Sequence, residues 1–137
     1  MRLFNTLSQQ VEPLHPLGET VTLYVCGITP YDTTHLGHAF INVAYDTLVR
    51  TLRWQGQPVR YVQNVTDIDD DILRKARELG IDWRALGQRE TDRYLGDLRA
   101  LDVEMPTYYV RATDEIPAMV ELIAALLARG FAYERDG

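Results

Sequence analysis

In the first half of the chain, the spacing of apolar residues changes from a strand pattern to a helix pattern and back to a strand pattern. Residues 20–26 form a short run rich in β-branched side chains, which is typical of a buried strand. Residues 36–54 place apolar side chains at helical spacing, and residues 59–63 return to a strand pattern. A strand, a helix and a strand in this order form a right-handed βαβ unit, so the two strands are predicted to be parallel. The stripe predicted to be buried on the helix consists of Phe40, Val43, Ala44, Leu48 and Leu52.

The second half of the chain has a mainly helical pattern. Helices are predicted over residues 69–79 and 82–101, with Gly80 as the stop between them, and residues 108–110 favour a short extended segment. A further helix opens at Thr113 and ends at Gly130. This last helix is apolar on most faces, so we expect it to be deeply buried or to cover a partner.

The two ends of the sequence have weaker patterns. Residues 1–19 form a lead-in with a short predicted strand at residues 3–5. Residues 131–133 are typical of the first half of a hairpin, and Asp136-Gly137 is a turn signal with no return strand after it. We therefore expect the sequence to be truncated there. Together the elements predict an α/β fold in which helices flank a parallel sheet.

The composition favours a globular protein in the cytoplasm. Hydrophobic residues make up 46% of the 137 residues and charged residues 25%, which are ordinary values. The net charge of −6 argues against a broadly basic nucleic-acid surface. No apolar run approaches the roughly 18 residues of a membrane span, and the N-terminus lacks a signal-peptide core. We therefore predict a cytoplasmic location without a membrane partner.

Two histidines follow the first strand at the start of the first predicted helix. His35 and His38 are three residues apart, so their side chains project from nearly the same face. A strand, a loop and a helix start form a typical phosphate site, because the N–H groups and the positive end of the helix dipole face an anion. Gly37 between the histidines permits close approach of a ligand. A zinc-binding pair and a solvated structural pair are the alternatives, and the phosphate interpretation is favoured.

Cys26 and the acidic run of residues 67–71 each admit more than one interpretation. As the single cysteine, Cys26 is a buried hydrophobe, a reactive thiol or a metal ligand. The carboxylates of residues 67–71 suggest a divalent cation, but a helix cap by Asp67 or Asp69 is favoured. The charged side chains of residues 84–97 are predicted to form a solvated face of their helix.

The residues around the histidines resemble a known family. The segment 35–38, HLGH, resembles the HIGH signature of class I aminoacyl-tRNA synthetases. The wider blocks YVCG at 24–27, YVQNVTDIDD at 61–70 and RATDEIP at 111–117 are similar to cysteinyl-tRNA synthetases, and this resemblance spans essentially the whole chain. The blocks ITPYD at 28–32 and IDWRALG at 81–87 are more similar to a related family, the cysteine ligases of mycothiol synthesis.

The resemblance implies a role for each matched position. His35 and His38 would act in catalysis and, together with Gly37, would bind the phosphates of ATP, which is used with Mg²⁺. Cys26 would be one ligand of a zinc ion in the complete protein, with the other ligands beyond residue 137. The residues that would contact substrate cysteine are Gly27, Thr29, Asn64 and Thr66.

The implied fold is α/β and Rossmann-like (HUP-type), truncated after the first half of its sheet. Residues 1–105 would be the N-terminal half of the catalytic domain. This half would contain the lead-in 1–19, the βαβ unit 20–67 and the helices of residues 69–101. Residues 106–137 would begin an inserted connective segment.

The implied activity is ATP-dependent activation of L-cysteine to cysteinyl-adenylate, followed by transfer to tRNA(Cys). Transfer to an amino sugar is the alternative that the related family implies. A stand-alone module that binds a nucleotide or a partner without full activity is an alternative of another class. The KMSKS-type loop of class I synthetases is missing, because Lys75 is the single lysine and lies within a predicted helix. We therefore expect residues 1–137 alone to be inactive.

Overall fold

The computed structural model describes residues 1–32 and 34–135, and their architecture is α/β. The strands are β1 (Arg2–Asn5), β2 (Gln10–Pro13), β3 (Val21–Val25), β4 (Val59–Val65) and β5 (Tyr108–Arg111). The helices are α1 (Leu36–Trp54), α2 (Asp70–Leu79), α3 (Trp83–Ala100) and α4 (Ala112–Ala128). β1 pairs with β2 in a small antiparallel sheet, and the order β3-β4-β5 forms a parallel sheet. The predicted α/β class with a parallel sheet and flanking helices is confirmed.

The strand predicted at residues 3–5 pairs with a second strand that the sequence pattern does not indicate. β1 and β2 are antiparallel, with Asn5 opposite Gln10. Gln9, at the end of the turn between them, has φ 58°, in the left-handed region that favours glycine. Because a glutamine takes this position, the sequence carries no turn signal for the hairpin.

The parallel sheet contains the predicted βαβ unit and extends beyond it. β3 and β4 are in parallel register, with Val21 opposite Val59, and β4 ends at Val65 rather than at residue 63. The segment predicted to be extended is β5, which pairs with β4 so that Val65 lies opposite Arg111. One sheet therefore spans residues on both sides of the predicted domain boundary at residue 105, and that boundary stays a prediction.

The buried face of α1 differs from the predicted stripe. Val49 packs with Val25 and Tyr61 against the sheet, and Asn42 and Leu52 are buried on the same side. The prediction is right for Leu52 and wrong for three exposed side chains, namely Phe40, Val43 and Ala44. The helix has apolar residues on more than one face, and a polar Asn42 on the buried face weakens the hydrophobic signal there.

Helices α2 and α3 begin at aspartate caps, as the acidic run predicts for α2. The side chain of Asp69 accepts a hydrogen bond from the Asp71 N–H at 2.9 Å, so Asp69 is the cap of α2. The side chain of Asp82 accepts bonds from the first-turn N–H groups of α3 at 3.0 Å. α2 ends at Gly80, whose φ of 65° requires glycine-like freedom.

The face of α3 predicted to be solvated is exposed except at one position. Glu90 is buried, with its carboxylate 2.8 Å from the guanidinium of Arg89. The apolar face of α3 contributes to two clusters beyond the one under α1. One cluster joins α2 to α3 and consists of Ile72, Ala76 and Leu86. The other consists of Tyr94, Leu98 and Val103, with Ile28 and Tyr109 packed against it.

Helix α4 is not buried by the described part of the chain, so the prediction of deep burial is wrong. None of the described α4 side chains is buried, and Val120 and Leu122 are 59% and 60% exposed. Residues 131–133 form no strand in the part of the chain that the structure describes, and Asp136-Gly137 lies outside the described residues. Across residues 1–32 and 34–135, the helices lack the length and apolar character needed to cross a membrane.

Asp67 joins the end of β4 to the start of α4. Its carboxylate accepts hydrogen bonds from the Thr113 N–H at 2.9 Å and the Thr113 hydroxyl at 2.6 Å, and it pairs with the Arg111 guanidinium at 2.9 Å. Burial by itself raises the pKa of Asp67, but the bonds from Thr113 and Arg111 outweigh burial and hold the pKa below its ordinary value. Asp67 therefore caps α4 from another element and does not cap α2.

Replacing Asp67 by asparagine should lower the free energy of unfolding by about 2 kcal/mol at neutral pH, since Arg111 would lose its charged partner. Because the pKa of Asp67 is lower in the folded state, its contribution is complete above the ordinary aspartate value of 3.8 and is lost as pH falls below it. Urea unfolding at neutral and acid pH measures both effects.

The exposed Asp70→Asn, from the same acidic run, is the matched control for this experiment. It should cost well under half as much, because Asp70 contributes mainly through the dipole at the start of α2. Equal losses in the two variants, or a gap that does not shrink in acid, would contradict the role given to Asp67.

Candidate functional site

A cavity of about 300 Å³ opens where the loop after β3 meets the start of α1. This place is the carboxyl end of a parallel strand, where open α/β sheets bind ligands. The loop is anchored by Ile28, which packs against the cluster that contains Tyr94. The residues that line the cavity are Gly27, Ile28, Thr29, Tyr31, Asp32, His35 and His38. At its rim, the Asp32 carboxylate lies 3.9 Å from the Lys75 ammonium of α2.

The two histidines form a reciprocal cap at the start of α1. The Nδ1 atom of His35 accepts a bond from the Gly37 N–H at 3.1 Å, and Nδ1 of His38 accepts from the His35 N–H at 3.5 Å. Their rings are stacked, with centroids 3.9 Å apart. Since Nδ1 is the acceptor in both rings, a neutral ring carries its proton on Nε2. The helix-start N–H groups are therefore used by the imidazoles, which in turn offer Nε2–H donors.

The ring of His35 lies directly against Gly37. A Cβ atom added at this position would lie 2.9 Å from Cε1 of His35 and would displace the ring. The sequence suggests that this glycine leaves space for a ligand, and the structure shows the ring of His35 beside it. The glycine therefore accommodates the histidine cap, and its contact with ATP stays a prediction.

His38 is held in its neutral form by its surroundings. Partial burial lowers the pKa of its imidazole, and the neighbouring His35 ring lowers it further. A neutral His38 donates one N–H, from Nε2, to a ligand. This arrangement is suited to hydrogen bonding with phosphate oxygens.

Asn64 and Thr66 hold the cavity loop from the end of β4. The side-chain oxygen of Asn64 accepts bonds from the Gly27 N–H at 2.8 Å and from the Tyr24 hydroxyl at 3.0 Å. The N–H of Thr66 donates to the Ile28 carbonyl at 2.9 Å. Neither Asn64 nor Thr66 lines the cavity among the described residues, whereas Gly27 and Thr29 do. Contact of these four residues with substrate stays a prediction.

Cys26 lies next to the cavity loop and is exposed. Within the described ranges, no group of three or more histidine, cysteine, aspartate or glutamate side chains is placed to hold a metal ion. Three protein ligands are usual for a catalytic zinc ion. The described residues alone therefore do not fit zinc, and a ligand role for Cys26 stays a prediction that requires further ligands from beyond the described residues.

Three buried polar residues below the histidines were not among the predicted site residues. Asn42 donates hydrogen bonds to the His38 carbonyl at 2.7 Å and to the Tyr94 hydroxyl oxygen at 2.8 Å, and it accepts one from Gln63 at 3.2 Å. The available signal was the amide of Asn42 in an apolar stretch of α1 and the amide of Gln63 in β4. Such residues need buried partners, which sequence alone does not identify.

The chain is similar to known proteins over nearly its whole length. Residues 11–137 match a family model described as tRNA synthetases class I (C) catalytic domain. A protein of Mycolicibacterium smegmatis named L-cysteine:1D-myo-inositol 2-amino-2-deoxy-alpha-D-glucopyranoside ligase is 51% identical over 133 residues, which cover 97% of this chain and 32% of that protein. The ligase of the same name from Nocardia farcinica is 48% identical, over 99% of this chain and 33% of that protein.

A solved structure shares the fold. Mycobacterium tuberculosis methionyl-tRNA synthetase, in complex with methionyl-adenylate, superposes with a TM-score of 0.71 and 26% sequence identity, covering 80% of this chain and 22% of that one. The chain spans about a third of the length of the curated relatives named above.

Replacing Gly27 by alanine should destabilise the junction by about 3 kcal/mol or more, because a Cβ atom there would lie 1.6 Å from the Asn64 carbonyl oxygen and the backbone would have to move. Thermal or urea unfolding measures the loss. Gly96→Ala in α3 is the control, since its Cβ meets nothing within 4 Å, and it should stabilise by up to about 1 kcal/mol. Similar stabilities for the two variants would refute the close packing of Gly27 against β4.

Proposed function

The chain belongs to the class I tRNA synthetase catalytic-domain family, and on that premise we propose that it forms part of the active site of an enzyme that activates L-cysteine with ATP. The observation that carries the proposal is the stacked pair of His35 and His38 at the wall of the cavity. The cysteine substrate is proposed from the names of the relatives and from the sequence blocks around the cavity. The whole enzyme's activity is proposed for a complete protein, because this chain spans about a third of its relatives.

In the proposed first step, a carboxylate oxygen of cysteine attacks the α-phosphorus of ATP. An oxygen–phosphorus bond forms, the bond to the β-phosphate bridge breaks, and pyrophosphate leaves with the electron pair. The Nε2–H groups of His35 and His38 donate to phosphate oxygens on which negative charge increases. The positive end of the α1 dipole acts in the same direction. Catalysis of this kind depends on position and on fixed donors, and needs no proton transfer from the chain.

The loop after β3 is proposed to hold the amino acid. Gly27 and Thr29 line the cavity wall, and Asn64 and Thr66 keep that wall in place through the bonds described above. Cys26 is proposed as a zinc ligand only where a complete protein supplies the remaining ligands. Zinc binds thiolates well, and when bound it would favour cysteine over serine.

An amino sugar is the proposed acceptor of the activated cysteine. Relatives about half identical over nearly the whole chain carry the name of an amino-sugar ligase. In this reaction the sugar amine attacks the carbonyl carbon, the amine loses a proton to solvent, and AMP leaves as an amide bond forms. Transfer to tRNA(Cys) is the second candidate, which the name of the matching family model supports. It would form an ester with a terminal ribose hydroxyl.

A binding module without activity is the candidate from another class. The exposed apolar surface of α4 supports it, since a helix of this kind is suited to contact with a partner. Cysteine-dependent exchange of pyrophosphate into ATP distinguishes an activating enzyme from such a module, because exchange requires reversible formation of the adenylate.

Replacing His38 by alanine in the complete protein should lower this exchange by about 100-fold, because one donor to the transferring phosphoryl group is lost. Melting curves should show that the variant is folded. His15→Ala is the matched control, since His15 is exposed in the lead-in, and it should leave exchange unchanged. A complete protein without exchange would exclude the activating function, and full activity of folded H38A would exclude the role of His38.

The acceptor is tested by the bond in the product. Complete protein supplied with cysteine and ATP should convert an inositol-linked 2-amino-2-deoxyglucopyranoside to an amide that resists mild alkali. Incubation with tRNA(Cys) instead should leave no alkali-labile cysteinyl ester. Formation of the ester without the amide would reverse this assignment while leaving cysteine activation intact.

A further inference from the structure

Asn42 lies one turn after His38 on α1 and connects it to α3. Asn42 is 3% exposed, and its two amide hydrogens are both used, one by the His38 carbonyl at 2.7 Å and one by the Tyr94 hydroxyl oxygen at 2.8 Å. A buried amide with complete hydrogen bonding is rigid, because any other rotamer leaves polar atoms without partners.

The orientation of the Asn42 amide is fixed from β4 as well. Its oxygen accepts from Gln63 at 3.2 Å, and the Gln63 oxygen accepts from the Tyr61 hydroxyl at 3.3 Å. A flipped Asn42 would turn its oxygen toward the His38 carbonyl and its amide toward the amide of Gln63. The network therefore admits one arrangement, and it links the central strand to the start of α1.

Tyr94 contacts the ring of His38 directly. Its side chain is fully buried, and the edge-to-face geometry of the two rings has a centroid distance of 6.5 Å and an angle of 83°. The His38 imidazole thus contacts both the stacked His35 ring and the ring of Tyr94. Asn42 links these two residues a second time, because it donates hydrogen bonds to both the His38 carbonyl and the Tyr94 hydroxyl oxygen.

We infer that Asn42 and Tyr94 are positioning residues that fix the His38 imidazole against the cavity. The inference rests on the proposed function for the reaction that His38 serves. The contacts of Asn42 and Tyr94 with His38 do not depend on that function. A buried polar network costs desolvation that an apolar cluster avoids, and its use here fixes one orientation of a donor. An error of about 1 Å in such a donor is enough to reduce a rate by as much as 100-fold.

The test compares variants of the complete protein in cysteine-dependent pyrophosphate exchange. Asn42→Leu keeps the branched shape of the side chain and removes the hydrogen bonds, and it should lower kcat about 10-fold with little change in KM for ATP. Tyr94→Phe keeps the ring and should give a smaller loss in the same direction. Thr91→Val is the control and should leave exchange unchanged. Thr91 is buried on α3, the helix of Tyr94, and its hydroxyl has no hydrogen-bond partner among the described residues.

A double-mutant cycle separates positioning from general structure. If Asn42 acts through His38, N42L should cause no further loss in an H38A background. The NMR titration of the His38 imidazole gives a readout without activity, and its midpoint or shifts should change in N42L and not in T91V. If N42L does not fold, Y94F alone and with H38A completes the same cycle.

The outcomes separate the inference from the function on which it rests. Equal losses from N42L in both backgrounds, or exchange unchanged in N42L and Y94F while H38A is impaired, would overturn the positioning role alone. Full exchange in H38A would overturn the role of His38 and this inference together, and no exchange in the unmodified protein would overturn the proposed function.

Discussion

The carboxyl end of the central strand β4 holds both of its neighbours in place, and the site depends on this. On one side, Asn64 and Thr66 bind the backbone of the loop after β3. On the other side, Asp67 binds the start of α4 through Thr113 and the end of β5 through Arg111. Asn64 still belongs to the ladder of β4, whereas Thr66 and Asp67 lie just beyond it. A parallel sheet leaves its strand ends without ladder partners, so side chains must supply those bonds.

This bonding gives the cavity a defined shape. A loop that follows an edge strand is usually mobile, but here Gly27 lies so close to Asn64 that a side chain would not fit. The next residue, Ile28, packs against the cluster around Tyr94. The same cluster contacts the ring of His38 through Tyr94. The loop and the helix start are therefore held by one body of packed residues, which preorganises both walls of the cavity.

The sequence predicted the features that depend on local patterns. The βαβ unit, the bounds of α1 and the cap at Asp69 follow from periodicity and from the residue types that cap helices. Features that depend on distant partners were not predicted. Asp67 belongs to an acidic run typical of a cap for the next helix, yet its partners Arg111 and Thr113 lie more than 40 residues away. The buried face of α1 was misassigned for a related reason, because Asn42 is stabilised inside by Gln63 and Tyr94 rather than by its own hydrophobicity.

The predicted site shows the same division. Four of the predicted residues lie at the cavity, namely His35, His38, Gly27 and Thr29. They lie there because the loop that joins a parallel strand to the next helix is at the carboxyl end of that strand. Asn64 and Thr66 come from the next strand, and their distance from the cavity wall depends on side-chain rotamers that a motif does not specify. The role of Gly37 was also beyond the pattern, since it depends on where the His35 ring packs.

The charge of the donors bears on how such a site would favour a transition state. The chain carries a net charge of −6, and Asp32 at the cavity is paired with Lys75, so net charge gives a polyphosphate no general attraction. A cationic imidazole would bind ground-state phosphates strongly through Coulomb attraction. The depressed pKa of His38 instead keeps a neutral N–H donor, whose bond strengthens as negative charge grows on the oxygen it contacts. A neutral, rigid donor at His38 therefore discriminates between ground state and transition state mainly by geometry, which is why the packing behind His38 matters as much as the histidine itself.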